Sequence, residues 1–366
     1  MKRKILYISF SILFVFIILI PSLGIFVYEN DNKGENRQLF TWNKVKGFST
    51  FDTYLLDNHA LRDKMSNLSS YMYIHLLKES PNPALVVMAH KGWLYLGDSP
   101  NYGEVPAFSS AIGTYDIDTI KAKEVSNKIN EIKKFCDSLQ IQFYFAVAPS
   151  KEYTYPEYLN VTPNSKIRLQ DYIIADTKER YNIRIIDLKK NLASNKKNYP
   201  VYYQRDTHWN KYGGYIATNT LTERIREDFA ISLYKPEDYS IIKIERPKHS
   251  DLADILHINK IDEDYIIQLK DSSVIETSVI EKNDLYYTNF IMTNKSSQQS
   301  LKGIVLCDSF FEAIYDPFIQ YFKEVHFIRT STLNMNYISQ LIKEKDRIDF
   351  IIFEKLDKNL YEIAIQ

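Results

Sequence analysis

The chain has 366 residues with 46 basic and 46 acidic side chains, so its formal net charge is zero. Basic runs are lacking beyond the first residues, which removes the electrostatic footprint expected of a nucleic-acid binder. Apolar side chains make up 45% of the residues and aromatic ones 14%, giving ample core for one large domain or two modest ones. The two cysteines, Cys136 and Cys307, are too few for a disulfide framework and read as buried small hydrophobes.

At the start, Met1-Lys2-Arg3-Lys4 precedes a run without charge from Ile5 to Tyr28. At about 1.5 Å per helical residue such a run spans the roughly 30 Å hydrocarbon core, and the basic cluster places the N-terminus in the cytoplasm. Residues 1–29 are therefore expected to be a cytoplasmic stub and transmembrane anchor, with the rest of the chain outside the cell membrane. A cleaved signal peptide is the competing reading, although Pro21-Ser22-Leu23-Gly24-Ile25 is a poor cleavage site. Residues 30–115 read as helical pieces and loops packing on the domain that follows. Phe51–Arg62 is the most patterned part of them, and Gly92-Trp93-Leu94-Tyr95-Leu96-Gly97-Asp98 is a short strand between turns.

From residue 116 onward the pattern alternates. Val125, Ile129, Ile132, Cys136 and Leu139 recur at helical spacing, and Ile141–Ala148 is a β-prone run ending at Pro149. A helix near residues 166–180 and a strand over Ile183–Leu188 follow. Later come a helix over Lys211–Arg226, a strand over Gly303–Cys307 and a helix over Phe310–Phe322. The last elements are a strand over Val325–Ile328, a helix over Asn334–Lys345 and a strand over Ile348–Phe353. Repeated βα units predict an α/β fold, a parallel sheet flanked by helices, over residues 116–366. Residues 235–300 break the rhythm with runs such as Tyr265–Leu269 and Leu285–Phe290, which predict a small β-rich insertion.

The candidate chemistry lies in two places. In Arg205-Asp206-Thr207-His208-Trp209-Asn210, residues i and i+2 of an extended segment project to one side, so the Asp206 carboxylate can hold one ring nitrogen of His208 and leave the other free. That is the base half of a triad. Ser309, in Cys307-Asp308-Ser309-Phe310-Phe311, sits where a strand meets a helix, at the carboxyl edge where reactive groups collect in open sheets. There the backbone N–H groups of Ser309 and Phe310 can receive an oxyanion. A plain helix cap also explains a serine at this place. A metal site is a second reading of Asp206 and His208. No further ligand cluster lies nearby in sequence, and no metal or soluble cofactor is expected. Gly213-Gly214 costs helix propensity that close packing beneath a site would explain. Lys151 and Tyr153 after the first strand, Trp209 beside the base, and Arg329 after a later strand are candidates for lining a substrate pocket.

With these residues in view, the chain resembles the SGNH-hydrolase-like proteins of bacterial polysaccharide O-acetylation, the AlgX, AlgJ and DHHW or PatB-type family. Asp206-Thr207-His208-Trp209 is similar to that family's Asp-x-His-Trp motif, and Cys307-Asp308-Ser309-Phe310 to its Gly-Asp-Ser-Phe block, with Cys307 in place of glycine. Gly92-Trp93-Leu94-Tyr95 and Pro149-Ser150-Lys151 resemble two upstream markers, and Ser250-Asp251-Leu252-Ala253 a Gly-Asp-Leu-Ala element. The order, base before nucleophile, implies a circularly permuted SGNH-hydrolase-like fold with a Ser309–His208–Asp206 triad and no added C-terminal carbohydrate module. It further implies an O-acetyltransferase that forms an acyl-serine, takes acetyl from a membrane-bound O-acyltransferase partner and acts on an envelope polysaccharide. An acetylesterase with the same triad and a non-catalytic assembly scaffold are the rival readings.

Overall fold

The computed structural model describes residues 2–23, 41–58, 62–246, 250–258, 260–271, 276–281, 289–297, 299–330, 335–344 and 347–364. The chain divides into two compact units, residues 1–86 with 253–260, and residues 87–252 with 261–366. In the first unit the helices are α1 (Lys2–Leu23), α2 (Phe48–Asn58) and α3 (Arg62–Met72). The membrane-spanning helix expected over Ile5–Tyr28 is not met. Helix α1 ends at Leu23, residues 24–40 lie outside the described residues, and among the described residues no helix is long and apolar enough to cross a membrane. The side chains described without interruption in α1, Tyr7–Ile17, rise only about 17 Å, short of the roughly 30 Å required.

Short strands β1 (Val86–Met88) and β2 (Leu94–Leu96) lead to α4 (Ala107–Ile112) and the long α5 (Thr119–Ser138). Asp118 caps α5 by accepting from the backbone of Ile120 and Lys121, which fixes where the apolar stripe of Val125, Ile129, Ile132 and Cys136 begins. The order continues with β3 (Gln142–Ala148), α6 (Lys151–Thr154), α7 (Leu169–Tyr181), β4 (Ile186–Asp187), α8 (Lys189–Asn195) and α9 (Lys211–Arg226). Next come β5 (Tyr239–Glu245), α10 (Asp251–Ile255), β6 (Glu263–Leu269), β7 (Thr277–Glu281), β8 (Asn289–Asn294) and β9 (Lys302–Cys307). The chain closes with α11 (Tyr315–Ile319), β10 (Glu324–Arg329), α12 (Met335–Lys343) and β11 (Phe350–Leu356).

One sheet of seven strands, in the order β4-β3-β11-β9-β10-β8-β7, organises the second unit. Its first five strands are parallel, as the βα alternation predicts, but β8 pairs antiparallel with β10, and β7 with β8. The sheet is therefore mixed rather than parallel. Residues 235–300 are split: β7 and β8 extend the edge of the main sheet, while β5 and β6 form their own antiparallel ribbon. Neighbours in sequence can pair antiparallel through a short loop, whereas a parallel pairing would need a long crossover. Of the strand expected over Leu285–Phe290, residues 282–288 lie outside the described residues and β8 begins at Asn289.

Alternation along the central strands sends side chains into two cores. Tyr144, Ala146, Val305, Cys307 and Ile352 face α9 and α11, whose Tyr212, Tyr215, Leu221 and Phe318 join them. Phe143, Phe145, Ile304, Leu306 and Ile351 face α5, α7 and α12 through Val125, Ile129, Ile173 and Leu341. Both cysteines are buried, as their setting predicts. The helix expected over Phe310–Phe322 is broken at Ile314 into a 3-10 turn, Ser309–Ala313, and α11. Pro317 lacks an amide hydrogen and its ring opposes the carbonyl four residues earlier, so one continuous α-helix cannot run through it.

Candidate active site

The nucleophile turn leaves the carboxyl end of β9. Asp308 caps it: one carboxylate oxygen accepts from the Phe310 N–H at 2.9 Å and the other from Leu356 N–H at 2.8 Å, tying the turn to β11. The Asp308 N–H in turn donates to Glu354, a fully buried side chain. Burial, with the Asp308 charge next, pushes the Glu354 carboxyl well above its usual range. The Phe310 N–H, expected to receive an oxyanion, is thus already taken by the cap. The Ser309 N–H, among the described residues, has no hydrogen-bond partner and is the open donor of the turn.

The base half arrives on a hairpin-like loop. Tyr202 bridges Trp209, Tyr203 N–H donates to the His208 carbonyl, and Asn210 N–H donates to that of Val201. Asp206 Oδ1 accepts from the His208 backbone N–H at 2.9 Å and lies 2.7 Å from its Nδ1, so the same-side projection expected from the i, i+2 spacing is realised. Asn210 then caps α9 through the Gly213 N–H. A Cβ on Gly213 would lie 2.1 Å from the Val201 carbonyl oxygen, and one on Gly214 would lie 2.4 Å from that of Ala313. The paired glycines are therefore what let α9 press against both the base loop and the nucleophile turn.

His208 Nε2 lies 2.8 Å from Ser309 Oγ, which completes an unbroken Ser309–His208–Asp206 chain. The second Asp206 oxygen accepts from Arg246 at 2.6 Å and from the Asp251 N–H at 3.1 Å. Burial pushes the Asp206 carboxyl up, but the hydrogen bond and charge of His208 and the charge of Arg246 outweigh it and hold the group well below the ordinary carboxylate range. For His208, burial favours the neutral ring, but Asp206 prevails, with Asp251 and Asp308 adding, and raises its pKa above the ordinary value. Such a group is a stronger base once deprotonated. Arg246 also lies over the Tyr203 ring, 3.9 Å from its centroid, which fixes the guanidinium.

Asp206, His208 and Asp251 also bring ligand atoms within 4.8 Å of one another, close enough for a cation. Their electrostatics fit a tautomer lock better. The Arg246 guanidinium occupies the outer face of Asp206, and Asp251 is engaged by the Thr207 N–H and hydroxyl. Burial, then the Asp206 charge, raises the Asp251 carboxyl above its usual range.

A cavity of ≈ 400 Å³ opens over the triad, lined among others by Tyr203, Trp209, Lys211, Glu312 and Arg329. Arg329 stands in this wall as expected, paired with Glu312 at 2.8 Å. Trp209 also reaches it, but its indole is buried and donates to the Phe310 carbonyl at 2.7 Å. Lys151 and Tyr153 do not line it. Lys151 is 2% exposed beneath the base loop, and Tyr153 is half-buried beside Lys189. The side chains that sequence reasoning missed are Arg246, Asp251 in its bonding role, and Lys211. Arg246 carried no signal, because a lone arginine in a β-rich stretch has no motif; Asp251 had one, the Ser-Asp-Leu-Ala element.

An α/β sheet with a hydrogen-bonded serine, histidine and aspartate at its carboxyl edge defines a serine-type acyl-transfer protein. The family described as SGNH hydrolase-like domain, acetyltransferase AlgX, matches residues 86–288, more than half of the chain, and the chain belongs to that family. The matched segment carries Asp206 and His208 and ends before Ser309. Among solved structures, that of Bacillus cereus PatB1 with a sulfonyl adduct is similar at 18% identity and TM-score 0.57, covering 75% of this chain and 97% of that one. A DHHW family protein from Eubacterium siraeum DSM 15702 is similar at 15% identity and TM-score 0.54, covering 77% and 93%. Both likenesses concern the fold. No curated protein sequence matches the chain.

Proposed function

We infer that the protein is an extracytoplasmic O-acetyltransferase that carries acetyl on Ser309 and hands it to hydroxyls of a cell-envelope or extracellular polysaccharide. The observation that supports this most is the unbroken hydrogen-bonded chain from Asp206 through His208 to Ser309 at the floor of an open cavity. His208 Nε2 takes the Ser309 proton as Oγ attacks the donor carbonyl and passes it to the departing group. It then takes the proton of the acceptor hydroxyl that attacks the acyl-serine. Asp206 holds the imidazole tautomer, and Arg246 holds Asp206. The Ser309 N–H is the first donor to the oxyanion. Base before nucleophile along the chain is read as a circular permutation of the SGNH order. Acetyl-CoA is cytoplasmic, so the reading includes a membrane-bound O-acyltransferase partner as donor. The basic start and charge-free run of the sequence favour a domain held outside the cell membrane.

The test is intact mass after exposure to an activated acetyl ester, followed by addition of a polysaccharide acceptor. One acetyl adduct is expected, absent in Ser309→Ala and discharged onto the glycan. Release of free acetate alone at high acceptor makes the protein an esterase, which shares the acyl-enzyme and differs only in the second nucleophile. Unchanged polysaccharide acetylation in cells carrying Ser309→Ala would make it a scaffold. An adduct that survives that substitution would point to Cys307. Burial pushes that thiol well above its ordinary value, which argues against a thiolate there.

A further inference from the structure

Beneath the base loop lies a cation that the acyl-transfer steps do not use. Lys151 opens α6 just after the carboxyl end of β3, and its start is pinned because the Ser150 N–H and hydroxyl both donate to Asp357. From there the side chain runs inward, and Nζ donates to the carbonyl of Asp206 at 2.7 Å, of Gln204 at 3.2 Å and of Tyr203 at 3.3 Å. The rings of Tyr95 and Trp93 close the cage, with centroids 5.2 and 5.6 Å from Nζ. An ammonium has three N–H groups, and these three carbonyls take them all.

We propose that Lys151 is a positioning residue for the triad: its ammonium gathers the carbonyls of residues 203, 204 and 206 and so fixes the turn from which Asp206 reaches His208. This rests on the acyl-transfer reading of the site. A compact point charge suits the task, because three carbonyls converging on one buried spot would otherwise face each other unpaired. The carboxylates whose charges act on Lys151 are Glu152 on its own helix, Asp251, Asp206 and Asp262. Burial nonetheless brings the ammonium down to about 8, with those carboxylates only partly offsetting it. Above that pH the neutral amine keeps two donors and turns a lone pair toward the carbonyls. The loop then loses its clamp, giving an alkaline loss of activity that neither His208 nor Asp206 supplies, since both are already in their working forms there.

The experiment uses the full chain and phenylmethanesulfonyl fluoride, a neutral probe. Its sulfur forms a bond to Ser309 Oγ as fluoride leaves and the hydroxyl proton passes to His208. The rate of adduct formation is read by intact mass from about pH 6 to about pH 10, corrected for probe hydrolysis. In the wild type the rate is expected to rise with His208 deprotonation and then fall severalfold as pH passes about 8. Lys151→Arg, which stays charged, loses that fall, and Lys151→Met is slower on the order of a hundredfold with its circular dichroism unchanged. A wild-type rate that holds or rises to about pH 10 overturns the proposal whether or not the variants fold. A folded Lys151→Met at the wild-type rate and profile overturns it too. Failure of the wild type to label at Ser309 at any pH instead sinks the triad reading, and this proposal with it.

Discussion

The indole N–H of Trp209 donates to the backbone carbonyl of Phe310 at 2.7 Å, so the residue after the base is bonded to the residue after the nucleophile. The rings of the same two residues meet edge to face at 5.0 Å, and the Phe310 ring also lies 4.8 Å from His208. Two segments distant in sequence are thus held in register by a contact beside the reacting atoms.

Trp209→Phe keeps most of the ring and removes the donor. It leaves the Phe310 carbonyl unpaired in a buried place, a cost of about 1–3 kcal/mol. A lower melting temperature and a fall in kcat with KM little changed are expected in ester hydrolysis. An unchanged kcat would show that the tie does not set the His208–Ser309 geometry.

Gly214→Ala puts a methyl carbon against Ala313 backbone, which must shift because it cannot swing aside. Ala313 ends the turn that Ser309 begins, so the shift reaches the nucleophile. Overpacking of this kind costs about 1–3 kcal/mol. Thermal unfolding and Ser309 labelling should both suffer, and wild-type behaviour in both would count against close packing as the reason for the glycine.

Arg246→Met removes the cation that faces Asp206. A positive charge near His208 disfavours the imidazolium, so its loss raises the His208 pKa further, and activity, which needs the neutral ring, should appear at higher pH than in the wild type. The rate against pH for ester hydrolysis checks this. An acid limb that stays in place or moves down would mean that Arg246 is too well screened to act on the base.

Burial pushes Glu152 up to about 7 and Asp357 up to about 6, from 4.5 and 3.8, while Lys151 comes down to about 8 from 10.5. Between pH 4 and 7 the folded protein therefore holds protons on the two carboxyls that the unfolded chain has released, and stability falls as pH rises. The raised His208 acts in the same direction, its contribution being complete below 6.5 and lost as pH climbs through its folded value. Between 8 and 10.5 the unfolded chain holds a proton that folded Lys151 has lost, so this contribution grows with pH. Calorimetry across this range should find the lowest melting temperature near pH 7–8, and a maximum there would refute the assignment of these groups as buried.

Residue type and spacing alone sufficed for several features. The βα alternation marked the parallel core, with α9 starting and ending at Lys211 and Arg226. The Asp206–His208 pair was legible because an i, i+2 relation is local and its geometry follows from the backbone. Ser309 was legible because a strand running into a turn puts its next polar residue at the sheet edge. What the tertiary structure decided are the relations that cross long stretches of chain. Periodicity shows that β7 and β8 are strands, but not that they pair antiparallel onto the parallel core, because pairing depends on which edge is free when they arrive. Lys151 reads as a pocket lysine until the loop from Tyr203 to Asp206 folds over it. Arg246 and Asp251 acquire their roles only when that loop brings Asp206 between them. A motif records neighbours along the chain, whereas burial, hydrogen-bond partners and charge are set by neighbours in space.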